Sequence, residues 1–207
     1  MNRLNLFDSW ASFYDQSIGE NPQGYPFEGY YTVLNTINDK INISKSTKIL
    51  DLGIGTGLLT MELYKRGAKI YGIDFSEKMI IEAKKKMPTA TFYCNSFEEE
   101  FPSELNDIKF DYIISSYAFH HLSSPKKIVF IKQLLPKLTE LGVIYIADVS
   151  FESKSDLEKC KTKFINDWDN TEFYFTADEF VAYLLKNNIK SKYSQISSCA
   201  GIYEIKS

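Results

Sequence analysis

The chain reads as an α/β sandwich built on an open, mostly parallel sheet of the doubly wound kind. Two patterns carry that reading. Five short apolar strands alternate with helical stretches, and a pair of strands joined by a short turn closes the chain. The first of those strands runs into a glycine loop and then a helix, the opening with which doubly wound sheets bind a ligand.

Residues 48–57, Lys-Ile-Leu-Asp-Leu-Gly-Ile-Gly-Thr-Gly, organise the rest. Ile49, Leu50 and Leu52 suit a short buried strand, and Gly53, Gly55 and Gly57 let the backbone turn tightly and meet a ligand without intervening Cβ atoms. A helix is expected over 58–66, where Leu59 pairs with Leu63 and Leu58 with Met61. Lys65, Arg66 and Gly67 then supply cations and a left-handed stop. The nicotinamide dinucleotide fingerprint G-x-G-x-x-G needs a glycine where this chain has Leu58, which argues against a nicotinamide-dependent oxidoreductase. No Gly-Lys-Ser/Thr follows, so a P-loop is absent. Asp51-Leu-Gly-x-Gly-Thr-Gly instead resembles the first motif of the class I methyltransferases that use S-adenosylmethionine (SAM). The resemblance implies that Asp51, Gly53, Gly55 and Gly57 bind that cofactor.

Composition narrows the alternatives. A length of 207 residues, 44% apolar and 15% aromatic, suits one domain with one buried core. Lys and Arg number 24 against 27 Asp and Glu, a net charge of −3 with no basic tract, so nucleic acid is not an expected partner. Cys94, Cys160 and Cys199 form no C-x-x-C or Cys/His cluster, which favours a reducing cytoplasm without a disulfide framework or metal. Neither an apolar leader nor a membrane-spanning run is present in these residues.

Residues 1–45 read as a helical cap ahead of a core at 46–207. Phe7, Trp10, Phe13 and Tyr14 have the spacing of one helix face, with Phe7 and Trp10 expected in the core. Gly19, Pro22, Gly24 and Pro26 mark 15–28 as a loop long enough to be a lid, and helical spacing resumes over 28–38. Methyltransferases acting on small molecules carry a similar cap, in which a Tyr-Asp pair such as Tyr14-Asp15 lies over the cofactor; a plain covering helix is the alternative for Tyr14.

The second strand, 69–74, ends in Asp74, 17 residues after Gly57. A carboxylate that meets ribose hydroxyls falls roughly 20 residues beyond the glycines in doubly wound folds. Ser76 is available to cap the next helix, 76–87, which leaves Asp74 for the ribose. Phe75 and Met79 are placed to flank the adenine. After a third strand at 90–94 come Asn95, Ser96 and Phe97, where the family usually has an acidic residue near the adenine amino group. Asn95 departs from that pattern yet still offers a carbonyl acceptor. Glu98, Glu99 and Glu100 read as a solvated first turn.

The fourth strand, 110–116, ends in Ser116, counted with the cofactor site, and leads into Tyr117-Ala-Phe-His-His-Leu. This run resembles the fourth motif of small-molecule class I methyltransferases, and the Asn/Asp-Pro-Pro-Tyr tetrad of the amino-methylating nucleic-acid enzymes is absent. A helix over 124–136 and a fifth strand over 142–148, ending in Asp148, follow. Helices at 155–168 and from a Thr176–Glu179 capping box, then strands at 189–196 and 200–205, complete the chain. The resemblance implies a Rossmann-like, mostly parallel seven-stranded sheet whose last strand is antiparallel. It also implies methyl transfer to a small-molecule acceptor; a monomer or homodimer without a membrane partner is expected. A non-catalytic SAM-binding or protein-interaction module is the alternative.

Methyl transfer needs alignment, desolvation and, for a protonated nucleophile, a base. His120 and His121 lie beyond the carboxyl end of the fourth strand. Adjacent loop residues seldom point the same way, and the family pattern selects His121 over His120. Tyr117 and Asp148 are further candidates, and a purely loop-shaping role for the imidazoles stays open.

Overall fold

The computed structural model describes residues 8–11, 13–20, 24–96 and 101–206. Phe7, Phe97 and the acidic run 98–100 lie outside them. Two helices, α1 (Tyr14–Glu20) and α2 (Tyr30–Lys40), precede the alternating part: β1 (Lys48–Leu52), α3 (Thr60–Lys65), β2 (Lys69–Asp74), α4 (Glu77–Lys86), β3 (Thr91–Cys94), β4 (Phe110–Ser116), α5 (Ser124–Leu134) and β5 (Leu138–Phe151). Next come α6 (Lys154–Lys163), β6 (Phe175–Thr176), α7 (Ala177–Lys186), β7 (Lys190–Gln195) and β8 (Ala200–Lys206).

The sheet runs β3-β2-β1-β4-β5-β8-β7, with two-residue β6 attached to β5 beside that path. Pairings from β3 through β5 are parallel, and β8 is antiparallel to both neighbours. The seven-stranded path agrees with the expectation, and β6 is the addition. Successive strand residues serve opposite faces: Leu50, Ile113, Ile144 and Ile146 join one buried cluster, while Ile49, Ile114, Tyr145 and Ala147 join the other. Helices on both faces bury these strands, which explains their near-continuous apolar runs. The chain moves from β1 to β2 and β3 on one side and then crosses back from β3 to β4 on the other side of β1. The crevice at the carboxyl ends of β1 and β4 is therefore the topological switch point.

Several boundaries move. Residues 15–28 were expected as a loop, yet Tyr14–Glu20 is helical in spite of Gly19, because Ile18 seats that turn in the core at 1% exposure. Trp10, expected in the core, is 44% exposed and Phe13 is 65% exposed; residues 8–10 are helical but Phe13 lies in a turn ahead of α1, so Trp10, Phe13 and Tyr14 do not line one continuous helix face. β5 continues to Phe151, where Ser150 and Phe151 pair with β6, so Asp148 lies inside the strand instead of at its end. The capping box does not form: Thr176 belongs to β6, and its hydroxyl donates to Asp178 Oδ1 at 2.5 Å. Ser76 does cap α4, accepting the Met79 amide at 3.2 Å. No helix among the described residues is long and apolar enough to cross a membrane.

Candidate active site

The glycine loop leaves β1 with left-handed backbone at Gly53 (φ 73°), Gly55 (φ 54°) and Gly57 (φ 81°), which L-residues adopt only with strain. Its path is fixed from β2. The Ile73 carbonyl accepts the Gly53 and Ile54 amides at 2.9 and 3.0 Å, and Asp74 Oδ2 accepts the Gly55 amide at 2.8 Å. Asp74 Oδ1 takes the Ser76 amide at 2.9 Å, and the Asp74 carbonyl accepts the Asn95 amide at 2.9 Å. One residue thus ties together the glycine loop, the start of α4 and the segment after β3. The glycines differ in what surrounds them. A Cβ on Gly55 would project into open space, whereas one on Gly57 would stand 2.5 Å from Met87 Cε.

Two buried carboxylates border this loop. Burial pushes Asp74 up to about 6 against the lowering effect of the backbone amides of Ser76, Gly55 and Phe75. Burial likewise pushes Asp51 up to about 7, with the Thr60 hydroxyl opposing and the Asp74 charge adding to the rise. The Thr60 hydroxyl donates to Asp51 Oδ2, while buried Asp51 Oδ1 has no hydrogen-bond partner among the described residues. An unpartnered anionic oxygen, a second buried carboxylate and free space over Gly55 fit a ligand with a cationic centre and hydroxyl groups. Met79 is buried; Phe75, Asn95, Ser96 and Ser116 are half-buried. The Ser115 hydroxyl, not singled out in the sequence, donates to the Leu52 carbonyl at 2.8 Å and joins β4 to β1 beneath the crevice.

The cap closes over the same crevice. Asp15 Oδ1 accepts the Thr56 hydroxyl of the glycine loop at 2.5 Å, and Lys86 pairs with the other oxygen. Burial pushes the Tyr14 hydroxyl up to about 12; its hydrogen bond with Tyr30 opposes this, and the charges of Asp74 and Asp15 reinforce it. Tyr117, at φ 51°, packs its ring 4.8 Å from Tyr30 and 5.9 Å from Phe27. Its hydroxyl is buried without a partner among the described residues. Beside the cap, a cavity of about 630 Å³ is lined by Trp10, Phe13, Tyr14, Tyr25, Phe27 and Phe164 among others.

Beyond β4, a single turn over Phe119–His121 presents the histidines. Asp148, fully buried, accepts the His120 amide on Oδ2 at 2.7 Å and the Val149 amide on Oδ1 at 2.7 Å. His120 Nδ1 lies 2.5 Å from Oδ1. Burial alone lowers the His120 imidazole, but the charge and hydrogen bond of Asp148 and the charge of Glu172 outweigh it and raise the group above its ordinary value. The side chains do not diverge as expected of neighbours: the rings are 4.2 Å apart, and His121 Nδ1 lies 2.7 Å from Glu172 Oε2. Lys127 is fully buried and donates to the Leu122 and Phe173 carbonyls. Burial brings it down to about 8, with Asp148 and Glu172 pulling the other way. Its sequence position gave a signal, since it shares the α5 stripe of Ile131 and Leu134. Glu172, in an aperiodic stretch, gave none.

Residues 49–142 match the model of a methyltransferase domain. A methyltransferase of Geobacillus kaustophilus, described as uncharacterized, is 30% identical over 97% of this chain and 95% of its own length. One from Anoxybacillus flavithermus, described likewise, is 36% identical over 75% of this chain and 71% of its own. The chain belongs to the class I SAM-dependent methyltransferases. Among solved structures, the DhpI–SAM–HEP complex superposes with a TM-score of 0.75, covering 99% of this chain and 96% of that one at 15% identity. The methyltransferase bound to the Trm112 activator of Haloferax volcanii superposes at 0.73, covering 97% and 96% at 14% identity. Both likenesses are of fold. SAM is the cofactor of this methyltransferase, and the buried carboxylates beside open Gly55 suit it.

Proposed function

We propose that this methyltransferase acts on a small molecule held between α1, the 24–27 segment and the residues that follow α6. The observation that carries the reading is the cavity of about 630 Å³ walled by aromatic rings of the cap and by Phe164. That volume lies within the range of small-molecule sites, and its mostly apolar lining suits a ligand with few polar atoms. The acidic balance of the chain and its lack of a basic tract favour the same class over nucleic acid.

In this reading Asp74 accepts the ribose hydroxyls, Asp51 faces the cationic end of the cofactor, and open Gly55 admits its backbone-side approach. Phe75, Met79, Asn95 and Ser96 surround the adenine, Tyr14 covers the site, and Ser116 completes its floor. When bound, SAM supplies an electrophilic methyl group. The chain's own residues align the acceptor, exclude water behind Tyr14, Tyr30 and Tyr117, and receive the acceptor's proton at the His120–His121 turn. Asp148 holds His120 from behind and touches no acceptor, because its carboxylate is buried and already engaged.

The test is a methyl-acceptor screen with S-adenosylhomocysteine release as readout, comparing small apolar and aromatic acceptors with protein and nucleic-acid fractions. Turnover of a small molecule whose KM rises in Phe164→Ala, with SAM affinity unchanged, supports the proposal. Turnover confined to macromolecules overturns it.

A further inference from the structure

Three side chains at the acceptor end converge although they come from distant parts of the sequence. One ligand-capable atom each from His120, His121 and Glu172 lies within 4.8 Å of the others. We propose that His120, His121 and Glu172 form a binding site for a divalent transition-metal ion of the zinc class, with Asp148 fixing the His120 ring from behind.

The geometry around His120 favours a cation between the groups. A carboxylate only accepts, so Asp148 Oδ1 at 2.5 Å places the ring proton on Nδ1 and leaves the Nε2 lone pair free to ligate. Nε2 stands 3.9 Å from Glu172 Oε2. That is too long for a hydrogen bond, yet two ligands each about 2.1 Å from one ion lie up to about 4.2 Å apart. His121 Nδ1, 2.7 Å from the same carboxylate oxygen, donates its ring proton there, so an ion entering between them displaces that proton and takes both atoms as ligands. A carboxylate that orients a ligating histidine through its other ring nitrogen is the usual outer support of a metal site.

The donor set selects the ion. Two imidazoles and a carboxylate suit Zn(II) and its neighbours, whereas Mg(II) and Ca(II) prefer all-oxygen sites. The side chains of His120, His121 and Glu172 keep 13%, 9% and 12% exposure, so the cluster is reachable from solvent. Three protein ligands leave a coordination position open, as in zinc enzymes. There an acceptor heteroatom would bind and become more acidic, its proton passing to solvent water while the ligating imidazoles hold the ion. That last role rests on the small-molecule reading; occupancy of the site does not.

The experiment therefore measures the metal without any acceptor. Chelator-stripped full-length protein is titrated with ZnCl2 and, separately, MgCl2 by calorimetry, and bound metal is counted after gel filtration. Expected are one zinc per chain, no magnesium, and in Co(II)-loaded protein a visible absorption band of an imidazole-ligated ion. Glu172→Gln and His121→Gln should abolish that zinc, and Asp148→Asn should weaken it by ~10–100-fold. Circular dichroism and SAM affinity verify folding, and Glu172→Gln, a loop change, serves if Asp148→Asn fails to fold. No zinc on folded wild type, or zinc retained equally by Glu172→Gln and His121→Gln, overturns the proposal. Failure of the acceptor screen leaves these readouts unaffected.

Discussion

The amide of Gly55 donates to the carboxylate of Asp74 at 2.8 Å, so the end of β2 clasps the loop that leaves β1. Asp74 consequently has a structural duty beside the ribose role proposed for it. Asp74→Ala should lower SAM affinity by ~1.5–3 kcal/mol, the usual cost of a lost charged hydrogen bond, and should also reduce Tm because the Gly55 and Ser76 amides lose their acceptor. Isothermal titration on the folded mutant is decisive. SAM affinity equal to wild type would remove Asp74 from the cofactor site.

The two carboxylates also predict a pH dependence. Asp74 and Asp51 titrate at about 6 and about 7 in the folded chain, against about 3.9 when unfolded. The folded state therefore binds more protons in between. Their contribution to stability is full below pH 4 and is lost as pH rises through 6 to 7. A cationic ligand that donates hydrogen bonds favours the ionised forms, so SAM binding should release protons near pH 6–7 and tighten as pH rises through that window. Calorimetry in buffers of different ionisation enthalpy measures the release; zero net release at pH 6.5 contradicts the assignment.

Gly55 and Gly57 should fail in different ways. Both have positive φ, so alanine strains either by roughly 1–2 kcal/mol. Gly57→Ala additionally drives a Cβ to 2.5 Å from Met87 Cε, and its main effect should be a fall in Tm. The Cβ of Gly55→Ala enters open space over the loop, where SAM would approach, and its main effect should be lost SAM affinity. Thermal melts and SAM titrations of the pair separate the two; identical profiles would show that Gly55 is also only a packing glycine.

The cap is tied to the cofactor loop through Asp15, which holds Thr56 and Lys86. If it closes over SAM, amide exchange across 14–20 and 24–29 should slow when SAM saturates the protein. Asp15→Ala should weaken that protection while leaving exchange in β1 and β4 unaltered. Exchange in the cap that does not respond to SAM would make it a fixed cover.

The sheet was readable because buried parallel strands leave continuous apolar runs, as in 110–116 and 142–148, and because Gly53, Gly55, Gly57 and Asp74 sit at spacings set by one turn and one crossover. Ser76 was readable as a cap for the same local reason. What escaped depends on tertiary contact. Breaker residues marked 15–28 as a loop, but burial of Ile18 keeps the first part helical. The apolar run at 142–148 does not reveal the end of β5, because Ser150 and Phe151 are held by β6, far along the chain. Glu172 reaches the histidines from a segment without periodicity, and no pairwise spacing in a sequence encodes that meeting.

Asp148 and His120 offer the sharpest test of the acceptor end. Three donors fill the Asp148 carboxylate: the His120 amide, the Val149 amide and His120 Nδ1. Its buried position prevents contact with an acceptor, so any effect on turnover must pass through the orientation and tautomer of His120. Asn in its place has one accepting oxygen and turns an NH2 toward at least one of those N–H groups, leaving a buried donor unpaired at ~1–3 kcal/mol. Once an acceptor is known, His120→Gln should lower turnover by ~100-fold or more with SAM affinity nearly unchanged, the signature of a group that acts on the reaction and not on cofactor binding. Asp148→Asn should follow it within about tenfold, because the misdirected ring loses most of its use. His121→Gln, whose ring is paired with Glu172, should lose less. Equal and modest losses in His120→Gln and His121→Gln would assign both imidazoles to loop structure, and the proton of the acceptor would then have to leave by way of Tyr117 or water.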